Sequence, residues 1–310
     1  MKATGLCYSF FVSTLDPSAA DIQRWNILQR RLQQVRTARA VGLLRSRGIE
    51  PIVIKGVAAM RYYPEGEFRP SMDVDLAVGA RQFEAAHRLI SGPAGAGMAI
   101  DLHRELRHLD ILPWEDLFEH SVELELGDSR VRVLRPEDDL RVLIVHWLTD
   151  GGVYKQRLWD VRYLVERSEL DWSRVLDPVT PRRRRWIECT LGIAAKYLHL
   201  ELTGTPVEGA EDRLPKWLLD TVEAEWSAEI KPWPLEASLS DPRFLAAQIK
   251  RRLRPNPIHA TVDCEGSFDA RTRFFYRLRN GMKRVMPSYR RVSTTLMHWR
   301  DVTNNNDPFA

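Results

Sequence analysis

Apolar side chains recur at steps of three and four in Ile22, Trp25, Leu28, Leu32 and Val35, which predicts an amphipathic helix over residues 20–47. Gly48 then stands where a helix-ending glycine belongs. The period changes at Pro51-Ile-Val-Ile-Lys55, a short apolar run of the kind a buried strand makes, and residues 56–63 read as a helix stopped by Pro64-Glu-Gly66. Residues 73–78 predict a second strand, 81–90 a helix, 91–97 a loop and 98–106 a third strand. Val122-Glu-Leu-Glu-Leu126 and Arg130-Val-Arg-Val-Leu134 alternate on either side of Gly127-Asp-Ser129, a hairpin signal.

From residue 135 the period is helical. Pro136 suits the first position of a helix, with Glu137, Asp138 and Asp139 at the positive end of its dipole. Leu140, Leu143, Ile144, Trp147 and Leu148 form one apolar stripe behind them. More helices are predicted at 156–167, 181–201 and 212–228. After 229 the chain is richer in proline and less regular; 271–285 and 289–302 read as basic amphipathic helices, and 303–310 as a frayed end. The expected fold is α/β (α+β). An N-terminal helical segment (1–50) packs on a small mixed sheet with helices (51–135), followed by a mainly helical domain (136–235) and a basic C-terminal segment (236–310).

At 310 residues the chain suffices for one large domain or two ordinary ones. No apolar run reaches the roughly 18 residues of a membrane span, so no transmembrane helix is expected. The apolar stretch at the start is short and interrupted, with Asp16 and Asp21 soon after, and reads as a cytoplasmic N-terminus. Cys7, Cys189 and Cys264 are scattered, which fits a reducing compartment and gives neither a disulfide framework nor a zinc pattern. The net charge of +4 is uneven: residues 241–310 hold fourteen Lys/Arg and six Asp/Glu, so the remainder is net negative. Arg182-Arg-Arg-Arg185 opens a predicted helix, where cations call for an anion, either a polyanion or Glu166 or Glu188. Arg273-Phe-Phe-Tyr-Arg-Leu-Arg279 interleaves cations with aromatics, a pattern that suits base stacking, a membrane interface or a stripe turned to the core.

The chemistry concentrates in Arg69-Pro-Ser-Met-Asp-Val-Asp-Leu76. On a strand, Asp73 and Asp75 emerge on one face while Val74 turns into the core. Two adjacent carboxylates repel each other and call for a cation; hard oxygen ligands suit Mg²⁺. Lys55, at a strand end, and Arg69 are the nearby cations for phosphate, and Gly56 permits a close backbone approach. Arg69 can equally order the loop by pairing with Asp73. A third carboxylate is expected from a neighbouring strand, and Asp101 in Asp101-Leu-His-Arg-Glu-Leu106 is the best placed, with His103 and Glu105 on the same face.

The ordered set Lys55-Gly56, Tyr63-Pro64, Arg69-Pro-Ser-Met-Asp-Val-Asp-Leu76, Asp101-Leu-His103, His146-Trp147 and Arg157-Leu-Trp-Asp160 resembles the uncharacterised nucleotidyltransferase family of the DNA polymerase beta-like superfamily. The likeness runs over roughly residues 20–200; the Gly-Ser usual ahead of the Asp pair is absent. The resemblance implies a nucleotidyltransferase palm with its active site in a cleft facing the helical region. It implies transfer of an NMP from an NTP to an unidentified small-molecule or peptide acceptor, with Asp73, Asp75 and Asp101 as catalytic metal ligands for two Mg²⁺. Lys55, Gly56 and Arg69 would then bind nucleotide, and His103, His146, Arg157 and Asp160 would contact the acceptor. The alternatives are a non-catalytic nucleotide- or partner-binding member, or an RNA-binding adaptor using the basic C-terminus. Nucleic acid is not the favoured partner, because the sheet region is not basic.

Overall fold

The computed structural model describes residues 19–71, 73–107, 112–229, 243, 247–248 and 255–285. These form two compact units. The first takes the described residues up to Val145 together with Trp159–Thr180; the second takes His146–Leu158 and the described residues from Pro181 on. The second basic helix expected at 289–302 and the frayed end at 303–310 lie outside the described residues.

The first unit is built on a five-stranded mixed sheet in the order β3-β2-β1-β5-β4. β1 (Ile52–Val53) runs antiparallel to β2 (Val74–Val78) and parallel to β5 (Ser129–Val133). β2 is parallel to β3 (Ile100–Arg104), and β4 (Val122–Leu126) forms the hairpin with β5. Alternation along the strands sorts the side chains into two layers. Val53, Val74, Leu76, Val78, Val131 and Val133 pack with residues of α1 (Ala19–Arg45), α2 (Gly56–Met60) and α3 (Ala80–Ser91), among them Leu44, Val57 and Ala86. Ile52, Ile54 and Ala77 cluster instead with Leu117 of α4 (Trp114–Glu119) and Val142 of α5 (Pro136–Thr149).

Helix α1 forms where its period predicts, but with another face inward. Ile22, Trp25, Leu28, Leu32 and Val35 stay exposed. The core is met by Ala40, Val41 and Leu44, with Gln33 and Thr37 also buried. At 100° per residue this face lies roughly a third of a turn from the bulky stripe. The acids opening α5 do more than meet a helix dipole. Asp138 is buried and accepts from Arg174 of α7 (Trp172–Leu176) through both oxygens, at 3.0 and 2.9 Å, and from Arg141.

In the second unit, Trp186 of α8 (Pro181–Leu198) and Trp217 of α9 (Lys216–Ser227) donate to the carbonyls of Gly266 and Phe268 at 3.0 and 2.8 Å. Three of the four consecutive arginines of α8 pair with acids, and Arg182 donates to the main-chain carbonyl of Glu265. Arg183 pairs with Glu265, Arg184 with Glu188, and Arg185 with Glu188 and Asp269. Two further helices are α10 (Pro257–Asp263) and α11 (Phe274–Val285). No helix among the described residues is long and apolar enough to cross a membrane.

Candidate metal centre

β2 and β3 run in parallel register, with Asp75 opposite Asp101 and Ala77 opposite His103. Alternation therefore places Asp75, Asp101 and His103 on one face, while Val74 and Leu76 are buried in the core behind. Donor atoms of the three side chains all lie within 4.8 Å of one another. His103 Nε2 is 3.1 Å from Asp101 Oδ2 and 3.3 Å from Asp75 Oδ1. Glu105, expected on this face, lies beyond the end of β3 with a positive φ of 58°, and its carboxylate accepts from the amide of Ala80 at 3.2 Å. It caps the start of α3 and leaves the carboxylate face to Asp75 and Asp101.

Asp73 sits just ahead of β2 and is exposed. Burial, followed by the negative charge of Asp75 and Asp101, holds its carboxyl above the usual range. It feels the cluster without being one of the three converging donors. Asp75 goes the other way. Burial pushes its carboxyl up, but the His103 hydrogen bond and the Lys55 ammonium outweigh that and hold it below the usual range.

Lys55 makes the turn between β1 and α2 with φ 53° and ψ −133°. A long side chain at positive φ carries strain of about 1–3 kcal/mol, which the surrounding structure must hold in place. From there Nζ donates to Asp75 Oδ1 at 2.8 Å and lies 3.3 Å from His103 Nε2. Gly56, at φ 22°, follows directly. The cation expected to meet a triphosphate thus rests on the central carboxylate.

Arg69, expected to contact nucleotide or to order the loop through an ion pair, and Asp160, expected to contact the acceptor or to form a salt bridge, are each other's partner. Arg69 Nε and Nη2 donate to the two oxygens of Asp160 at 2.6 and 2.8 Å, and the Tyr63 hydroxyl adds a bond at 2.8 Å. Both residues are buried. Arg69 does not pair with Asp73, as a loop-ordering role had suggested, because a buried carboxylate fitted to its planar fork takes both donors. His146 and Arg157 belong to the second unit, where Asp150 engages both.

Two carboxylates and an imidazole from adjacent strands, with a third carboxylate beside them, form a donor set rich in hard oxygen. It fits a divalent cation such as Mg²⁺ or Mn²⁺. The sequence pointed to Asp73, Asp75 and Asp101 as ligands and to His103 as a group that orients a ligand or contacts the acceptor. His103 lies within reach of both carboxylates, on the face that the Asp-x-His spacing on a strand signals.

A family model described as an uncharacterised nucleotidyltransferase matches residues 18–94 and 91–199. No curated protein matches the chain. The matched segments cover more than half of the chain and contain Lys55, Arg69, Asp73, Asp75, Asp101, His103 and Asp160. With the paired acids of β2 and β3 and the Lys-Gly turn ahead of them, the chain belongs to this family of uncharacterised nucleotidyltransferases.

Proposed function

We propose that the protein transfers an NMP from an NTP to a small-molecule or peptide acceptor, with release of pyrophosphate, in a divalent-cation-dependent reaction. The observation that carries this reading is the convergence of Asp75, Asp101 and His103 in a chain of this family. Asp75 and Asp101, with Asp73 beside them, would hold Mg²⁺. The ion, when bound, would offset negative charge on the phosphate oxygens as the acceptor attacks and pyrophosphate leaves.

The chain's own groups divide the remaining work. Lys55 exchanges Asp75 for triphosphate oxygens when nucleotide enters, since its ammonium is a mobile point charge beside a glycine. His103 spans Asp75 and Asp101 and fixes their orientation. Asp101, the more exposed of the two carboxylates, takes the proton of the acceptor as its oxygen or nitrogen bonds to the α-phosphorus. The bond from the α-phosphorus to the bridging oxygen breaks, and pyrophosphate departs with that electron pair. The Arg69–Asp160 pair leads into this strand and holds the loop ahead of Asp73.

The test is pyrophosphate release from each common NTP with Mg²⁺ and fractionated cell extract as the acceptor source. Release by the wild-type protein and its loss in Asp75→Asn support the assignment. Equal release by both proteins removes it.

A further inference from the structure

Helix α11 is built inside out. Phe274, Phe275, Leu278 and Met282 are 62, 68, 50 and 56% exposed. At 100° per residue the four fall within one sector of roughly 100°. The polar side is the one that packs. Asn280 is buried and donates to Asp263 Oδ2 at 3.2 Å, and the carbonyl of half-buried Tyr276 accepts from Cys264 Sγ at 3.7 Å. Arg273 is buried with its guanidinium 4.6 Å from the centre of the Trp217 ring, bonding to the carbonyls of Ser267 and Ala270. An ordinary surface helix does the reverse and turns its apolar sector to the core. Two exposed arginines, Arg277 and Arg279, border the apolar sector on either side.

The composition of this face selects its occupant. A solvent-facing sector of Phe, Leu and Met edged by arginine suits the headgroup plane of an anionic bilayer, with apolar groups entering the acyl boundary and cations meeting phosphates. Base stacking needs aromatic platforms. Here the two phenylalanine rings stand at 78° to each other, and the sector continues in aliphatic Leu278 and Met282. A second copy docking face to face would bring arginine edges together. The surplus of basic residues over 241–310 adds attraction in the same direction. With 12 residues, about 18 Å of helix, α11 lies on a surface and does not span one. We infer that α11 is a docking site for an anionic phospholipid surface, through Phe274, Phe275, Leu278 and Met282.

The experiment is co-sedimentation of the full chain with vesicles of phosphatidylcholine alone or of phosphatidylcholine mixed with phosphatidylglycerol. Binding to the phosphatidylglycerol vesicles, weakened by salt and lost on pure phosphatidylcholine, is the expected result. Phe274→Ser with Phe275→Ser should weaken binding by about tenfold for each ring removed. Arg279→Gln should weaken it about fivefold. Leu278→Gln is the second apolar variant, should the double change lower the melting temperature. Three results overturn the proposal: no binding to phosphatidylglycerol vesicles by folded wild-type protein, undiminished binding by folded Phe274→Ser/Phe275→Ser and Leu278→Gln, or a wild-type dimer that these changes dissolve while vesicle binding persists.

Discussion

Asp75 is the residue on which several forces meet. It faces Asp101 across the strand pair, accepts from Lys55, and lies within reach of His103. Removing its charge by Asp75→Asn at almost no change in volume should lower nucleotidyl transfer by about 100-fold or more, with the circular dichroism spectrum unchanged. Retained turnover in the purified variant contradicts the role given to it. Lys55 offers a finer test, because a divalent cation and an ammonium compete for the same carboxylate. Lys55→Met should bind Mn²⁺ more tightly than wild type without nucleotide, yet bind NTP more weakly, as read by two separate titrations. A loss of both affinities would contradict this division. The sequence made the two-residue spacing of Asp73 and Asp75 legible, because alternation on a strand is local. It did not show that Lys55 adopts a left-handed backbone or reaches Asp75, since both depend on strands 20 residues apart in the chain.

Elements of ten residues or more were readable from their period. α3, α5 and α9, and the hairpin of β4 and β5, stand within a few residues of their expected bounds. Helices α4, α7 and α10 have 6, 5 and 7 residues, less than two turns, so no apolar period develops to reveal them. The inward face of α1 is not legible in its period for a different reason. Hydrophobicity alone favours the bulky stripe, whereas the core there is met by Ala40, Val41 and Leu44. The link between α6 (Leu158–Arg167) and the chain ahead of β2 was also hidden, because Arg69 and Asp160 are far apart in sequence. Their buried pair yields a stability prediction. Asp160→Ala leaves the Arg69 guanidinium buried without its carboxylate and should cost about 3–5 kcal/mol by urea unfolding. A cost near zero would mean that Arg69 turns to another acceptor.

For the molecule as a whole, pH dependence follows from acids shifted in opposite directions. Burial raises the Asp139 carboxyl to about 6, with the Arg61 charge only partly offsetting it. One Asp139 oxygen is buried without a hydrogen-bond partner. The folded state thus favours the neutral acid. Stability from this group is present below its ordinary value of 3.8 and is lost as pH rises toward 6. Asp139→Asn should therefore gain on wild type between about pH 4 and about pH 7, by an amount on the order of 2–3 kcal/mol in urea unfolding. A constant difference across that range would contradict it. Asp75 and Glu137, both held below their usual range, act in the opposite sense and lose their contribution as pH falls through their lowered values. The claim underlying the whole account is that the β2–β3 face holds a divalent cation together with a nucleotide, and it can be tested without knowing the acceptor. Mn²⁺ titration followed by water proton relaxation, with and without NTP, should show a bound ion in the wild-type protein that NTP tightens, with most of that affinity lost in Asp75→Asn and Asp101→Asn. Undiminished Mn²⁺ binding in both variants would place the ion elsewhere and contradict the account.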